Sequence, residues 1–561
     1  VNFSLGTFLL NFTKKKSKFM FRILTLGMVL CLVACQDPKT TVDFIVSNAK
    51  IYTVDEAFST AQSMAVSDGK IVAVGTNTDI DSKYEALNRI DAQGNALFPG
   101  LIDAHAHFYN LGVQQQQVDL VDTHSIDEIL ERLKQFAAEK NPQFLIGRGW
   151  DQNDWEIKEF PTKEMLDALF PDLPVALTRI DGHALWVNSK ALDMAGITKT
   201  TKVSGGEVVL KNGQPSGILV DAPMQLVRNV IPELSHKQQV QALLDAQDIS
   251  FAHGLTTISD AGLSRDVIEL IDSLQQTGDL KMRLYAMVSN NPDELAYFLE
   301  KGVIKTDRLH VRSVKVYADG ALGSRGACLH EPYSDLPGHY GAMITTQEAL
   351  FDLAAQIAQS EYQMNTHAIG DSANTTVLKA YKSVLKDEQD RRWRIEHAQV
   401  VRSEDFDAFS LNILPSIQPT HATSDMYWAA DRLGDVRIKG AYAFKTLLNK
   451  AGKVALGTDF PVEKVSPFLT FYAATTRQDT KLYPDGGFMP QERLSREETL
   501  RGMTIWAAYS NFEETEKGNL EVGKVADFVI LDKNLMEVPF SEIPETKVLY
   551  TVLNGEIVFK K

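Results

Sequence analysis

The stretch Phe98-Pro99-Gly100-Leu101-Ile102-Asp103-Ala104-His105-Ala106-His107 decides how this chain is read. An apolar run reaches Ile102, and two imidazoles stand just beyond it at i and i+2. Side chains alternate along a strand, so His105 and His107 point the same way and can grip one ion. Alone, the pair describes two buried histidines near a strand end equally well. Further ligands in similar settings are what would separate the two readings.

Toward the N-terminus, Asp43-Phe44-Ile45-Val46-Ser47-Asn48-Ala49-Lys50-Ile51-Tyr52-Thr53 alternates and is rich in β-branched and aromatic residues, as a strand does. Asp68-Gly69, flanked by apolar alternation, marks a hairpin. The C-terminal end repeats the style in Ala526-Asp527-Phe528-Val529-Ile530-Leu531-Asp532 and again over 548–559. Neither end has enough strands to bury a face alone, so residues 41–98 and 512–561 are expected to form one small composite β-sandwich domain.

The middle, 99–511, alternates short apolar runs with helical patterns, the signature of βα units around a parallel sheet. Val314-Lys315-Val316-Tyr317-Ala318, Gln363-Met364-Asn365-Thr366-His367, Trp393-Arg394-Ile395-Glu396-His397 and Val454-Ala455-Leu456-Gly457-Thr458-Asp459 each carry a polar or ionisable residue within the run or at its end. In a (β/α)₈ TIM-like barrel the carboxyl ends of the strands form the catalytic face. More chain lies between His107 and Thr256 than one crossover needs, which places an inserted subdomain at about 112–219.

On these residues the chain from 41 to 561 resembles the amidohydrolase superfamily of metal-dependent hydrolases. Within it, the chain resembles the amidohydrolase-3 group that includes N-substituted formamide deformylases. The resemblance implies a His-x-His on the first barrel strand, His105 and His107, then Lys315 on the fourth, His367 on the fifth, His397 on the sixth and Asp459 on the eighth. Neutral imidazoles and a carboxylate suit zinc or a similar divalent cation. Asp459 would also serve as general base and acid. Lys315 in that position implies a carboxylated lysine bridging two ions; a buried lysine paired with an acid, beside a single ion, is the alternative.

Other residues suit substrate. His183, in Arg179-Ile180-Asp181-Gly182-His183, would touch substrate or polarise its carbonyl, or else be structural. Trp150, with Trp155, would offer an apolar surface, and Arg325 lies in a glycine-rich stretch after the Lys315 strand. His124, His236, His253, His310, His330, His339 and His421 read as surface or packing residues.

The expected activity is hydrolysis of a carbon-nitrogen bond in a small amide, of the N-substituted formamide or N-acyl amine type. A cyclic amide or ester on the same scaffold is the alternative, as is a non-catalytic lipid-anchored binding protein. The complete ligand set argues against the last. The formal charge is −16, and residues 1–34 hold five basic side chains and no acidic one, so the remainder carries −21. That balance excludes a nucleic-acid partner, which needs clustered Lys and Arg. Basic residues through Arg22, the apolar run 23–33 and Leu32-Val33-Ala34-Cys35 read as a signal peptide ending in a lipobox. Cys35 would be lipidated, making the protein an exported bacterial lipoprotein anchored at the cell envelope. With Cys328 then the remaining thiol, no disulfide framework is expected. A homodimer is the assembly to test.

Overall fold

The computed structural model of the chain describes residues 38–561, apart from 181, 204–205 and 386–389. Cys35 and the signal segment lie outside the described residues.

Eight parallel strands form the central barrel: β1 (Leu101–Ala106), β2 (Leu255–Leu263), β3 (Arg283–Ser289), β4 (Leu309–Tyr317), β5 (Gln363–Ala368), β6 (Arg394–His397), β7 (Leu414–Ile417) and β8 (Ala455–Leu456). Each pairs in parallel with the next. β1, β6 and β7 are buried along their whole length, as strands covered on both faces must be. β8 is shorter than the apolar run 454–459 suggests, because the chain leaves the sheet at Gly457. There a Cβ would stand 2.5 Å from the His105 nitrogen. Beyond it Asp459 donates its N–H to the His105 carbonyl at 2.8 Å, and His107 donates to the Phe460 carbonyl at 2.8 Å. These bonds close the barrel at its carboxyl end, between first and last strands.

Asp103 reinforces the seam. Its carboxylate accepts from the Thr458 hydroxyl at 2.7 Å and from the N–H groups of His105 and Thr458, both at 3.1 Å. Burial pushes its pKa up to about 7.

Both chain ends build the β domain. A four-stranded sheet holds Thr40–Ser47, Ser63–Ser67, Lys70–Gly75 and Tyr84–Asp91, with the hairpin turning at Asp68 (φ 51°) and Gly69 (φ 72°). A six-stranded sheet joins Lys50–Tyr52, Thr60–Ala61 and Ala96–Pro99 to Phe528–Leu531, Val548–Leu553 and Glu556–Lys560. Phe44, Met64, Leu97, Phe528 and Val552 share one core. Strand Ala96–Pro99 runs through Gly100 into β1, so the β domain delivers the chain to the first ligand pair. A side chain at 100 would collide with Thr256, 2.3 Å away.

Between β1 and β2 lies a subdomain with its own six-stranded sheet, from Val118–Asp119 to Gln214–Asp221. It has two apolar clusters of its own.

Candidate metal centre

The carboxyl ends of β1, β4, β5, β6 and β8 bring His105, His107, Lys315, His367, His397 and Asp459 to the wall of one cavity of about 480 Å³. Strand alternation accounts for the first pair, whose rings lie 5.8 Å apart at 86°. Alternation would send the consecutive Glu396 and His397 to opposite faces. A left-handed backbone at His397 (φ 73°) ends β6 there instead. Asp459 is left-handed as well (φ 63°), and such conformations cost a non-glycine residue about 1–3 kcal/mol. Both of these residues face the cavity.

Potential ligand atoms of His105, His397 and Asp459 all lie within 4.8 Å of one another, and all three residues are buried. Asp459 Oδ1 stands 3.3 Å from His107 Nε2 and 3.6 Å from His105 Nε2. That oxygen and His367 Nε2 are buried without a hydrogen-bond partner. An orphaned buried polar atom costs about 1–3 kcal/mol; Asp459 Oδ1 is one such atom at the cavity wall, while His367 Nε2 lies 3.7 Å from Asp319 Oδ1. Imidazole nitrogens with a carboxylate fit a borderline divalent cation such as zinc.

Protonation favours the same occupant, since ligands must bind as neutral imidazole and carboxylate. Burial, aided by the Lys315 charge, pushes His105 down to about 4 and His367 down to about 3. Burial likewise holds His397 well below the usual imidazole value. For Asp459 burial would raise the pKa, but the neighbouring His107 imidazole and the bond to His421 outweigh it and hold the carboxylate well below its usual value.

Behind the cage stands Glu396. Its Oε2 accepts from His105 Nδ1 at 2.5 Å, which turns the Nε2 lone pair toward the cavity. Arg394 grips the same carboxylate through Nε (2.7 Å) and Nη2 (3.1 Å). Burial alone would raise Glu396; the Arg394 charge and the His105 contact hold it well below the carboxylate range. His397 Nδ1 is bonded to Gln418 Oε1 at 2.7 Å. The Asp319 carboxylate accepts N–H bonds from Cys328 and Gly370 at 2.8 Å and from Ile369 at 3.0 Å, clamping the loop after β4 to the end of β5.

Lys315 is buried, its Nζ 3.3 Å from His105 Nε2 and 4.7 Å from the Tyr317 ring centroid. Burial lowers its pKa.

Three residues read as substrate contacts lie elsewhere. Trp150 is fully buried among Trp155, Leu177 and Trp186 in the subdomain core, donating Nε1–H to the Leu177 carbonyl at 2.7 Å. Its apolar surface packs the subdomain and does not line the cavity. His183 is exposed on that subdomain, with Nδ1 2.7 Å from Asp221. Arg325 does not line the cavity either; its guanidinium is paired with Asp335 at 2.7 Å, whose carboxylate also binds Arg432.

Two unforeseen side chains take their place. Trp428 forms part of the cavity wall and explains Gly323, where a Cβ would come within 3.2 Å of the indole. His421, read as a packing residue, enters the wall from helix Pro419–Asp425 just after β7. Burial would lower its pKa, but the bonds to Asp459 and Glu463 carry it up to about 10. The placement that marks His367 and His397, a polar group beyond an apolar run, applies equally to Leu414–Ile417; Pro419 disguises it as a turn.

The sequence pattern of the amidohydrolase family matches residues 89–559. The chain belongs to the amidohydrolase family. It is 33% identical over 538 residues to the Arabidopsis thaliana protein LONG AFTER FAR-RED 3, covering 92% of this chain and 91% of that one. It is 26% identical over 547 residues to N-substituted formamide deformylase of Arthrobacter pascens, covering 92% and 98%. A crystal structure of an uncharacterized metal-dependent hydrolase from Pyrococcus furiosus superposes with a TM-score of 0.75 at 28% identity, over 88% of this chain and all of that one. This amidohydrolase is an enzyme on a (β/α)₈ barrel.

Proposed function

We propose that this amidohydrolase cleaves the carbon-nitrogen bond of a small amide, of the N-substituted formamide or N-acyl amine type, with one or two divalent ions, zinc foremost. The observation that carries the reading is the convergence of His105, His397 and Asp459 donor atoms within 4.8 Å at the wall of the cavity. The deformylase similarity over nearly the whole chain supports the substrate class.

When bound, a divalent cation acidifies water and polarises a carbonyl. His105, His107, His367, His397 and Asp459 would hold it. Asp459, with Oδ1 directed into the cavity, takes a proton from the attacking water and returns it to the leaving nitrogen. Leu322, Ile369 and Trp428 give the substituent an apolar wall. An ammonium 3.3 Å from the inward lone pair of His105 would repel a cation, which favours carboxylation of Lys315 when ions are present.

Metal analysis of the purified protein, chelator dialysis and assay on N-formyl and N-acyl amines test the reading. Stoichiometric metal and chelator-sensitive hydrolysis are expected. Absence of metal, with hydrolysis unchanged in His105→Ala, would overturn it. We also propose export and lipid anchoring through Cys35, checked by lipid labelling, which Cys35→Ser should abolish. A homodimer is proposed as the assembly, read by sedimentation.

A further inference from the structure

Asp459 is asked to do two things at once, face the cation site and move protons, and its two oxygens have different surroundings. Oδ1 is directed at His105 and His107 and has no hydrogen-bond partner. Oδ2 is bonded to His421 Nε2 at 3.2 Å. His421 is itself braced: its Nδ1 lies 3.1 Å from Glu463 Oε1, and the Ser424 hydroxyl donates to the same oxygen at 2.8 Å. Both nitrogens of His421 are thus engaged, and neither faces the cage as a ligand.

A carboxylate turns easily about its terminal torsion, whose rotamers are broad and nearly two-fold. Nothing in the Asp459 side chain itself keeps one oxygen in the cage and the other out of it. The bond from His421 does, and the imidazole can hold that line only if its own ring is prevented from turning. Glu463 supplies that restraint from beyond the end of β8, while His421 comes from beyond β7.

We propose that His421, braced by Glu463, is the positioning residue for Asp459. It holds Oδ2 outside the cage so that Oδ1 alone faces the cation and the carboxylate keeps the orientation its proton transfers need. The inference rests on the metal-dependent hydrolase reading and adds a role to a residue outside the ligand set.

The test uses full-length His421→Ala, Glu463→Ala and the conservative Glu463→Gln, whose amide oxygen can still accept from Nδ1–H. Outer partners of this kind typically contribute about 10–100-fold. His421→Ala is therefore expected to lose kcat by about that factor with KM little changed and metal content retained. Glu463→Ala should follow it in the same direction, and Glu463→Gln should restore most of the loss. A kcat equal to wild type in His421→Ala, or a Glu463→Gln variant no better than Glu463→Ala, would overturn the proposal. A second readout needs no substrate: protein loaded with cobalt(II) should show altered visible absorption in His421→Ala, because Asp459 can then present both oxygens. Identical spectra would overturn the proposal even if no amide is turned over. Loss of all metal from wild type would instead overturn the hydrolase reading.

Discussion

Two regions of this molecule carry similar residues and use them in opposite ways. The barrel's carboxyl end and the inserted subdomain both present histidines, aspartates and tryptophans in motif-like runs. In the barrel, histidines from β1, β5 and β6 are drawn into one cavity, with a buried carboxylate behind His105. In the subdomain, Trp150 disappears into an apolar core and His183 sits in solvent beside Asp221. The difference teaches that residue type is a weaker guide than station. Every barrel strand ends at the same face, so polar groups there meet, whereas in the subdomain Arg179 pairs with Asp151 and Gln152, away from Trp150 in the core and from exposed His183.

The contrast can be broken most decisively at Asp459. Asp459→Asn removes the base and is expected to lower kcat by about 10²–10⁴-fold, read by steady-state assay with the metal content measured in parallel. Activity close to wild type would mean that convergence in the cavity is not what catalysis uses. One step back, Glu396→Gln leaves Arg394 buried with a neutral partner and loosens His105. Metal affinity should fall about 10–100-fold by competition with a chromophoric chelator. Thermal unfolding should also show a loss of about 3–5 kcal/mol, the usual result of breaking a buried ion pair.

The subdomain half of the comparison gives the reverse pattern. Trp150→Ala should destabilise by about 3–5 kcal/mol, as large core truncations do, while kcat and KM of the folded enzyme stay at wild-type values. A KM effect without a stability effect would return Trp150 to the substrate site. The smallest change is expected for His183→Ala, in which kcat, KM and melting temperature should all match wild type. A fall in kcat there would show that the subdomain reaches the chemistry.

Much of the barrel was legible because local patterns encode it. Apolar runs with a polar residue at the end marked β4, β5 and β6, and the i, i+2 spacing of His105 and His107 foretold their common direction. The run 454–459 suggests a longer strand than Ala455–Leu456, because β1 packed against Gly457 forces the chain out of the sheet. Arg325 was legible as a cation near the right strand, but its partner Asp335 was not, and that partner holds it away from the cavity. His421 carries no local signal of its role, because its significance depends on Asp459, 38 residues further on.

The amino-acid sequence by itself determined the donors: which side chains can bind a divalent cation, their order, and the strand ends that carry them. Those properties are local, set by residue chemistry and by the two-residue period of a strand. Tertiary structure decided which oxygen of Asp459 faces the cage, which imidazole nitrogen of His105 points inward, and which aromatic lines the cavity. Each of those choices is made by a partner distant in sequence, as Glu396 is from His105 by 291 residues. Such a partner acts only once barrel closure has brought it within hydrogen-bond reach, and no local pattern records that distance.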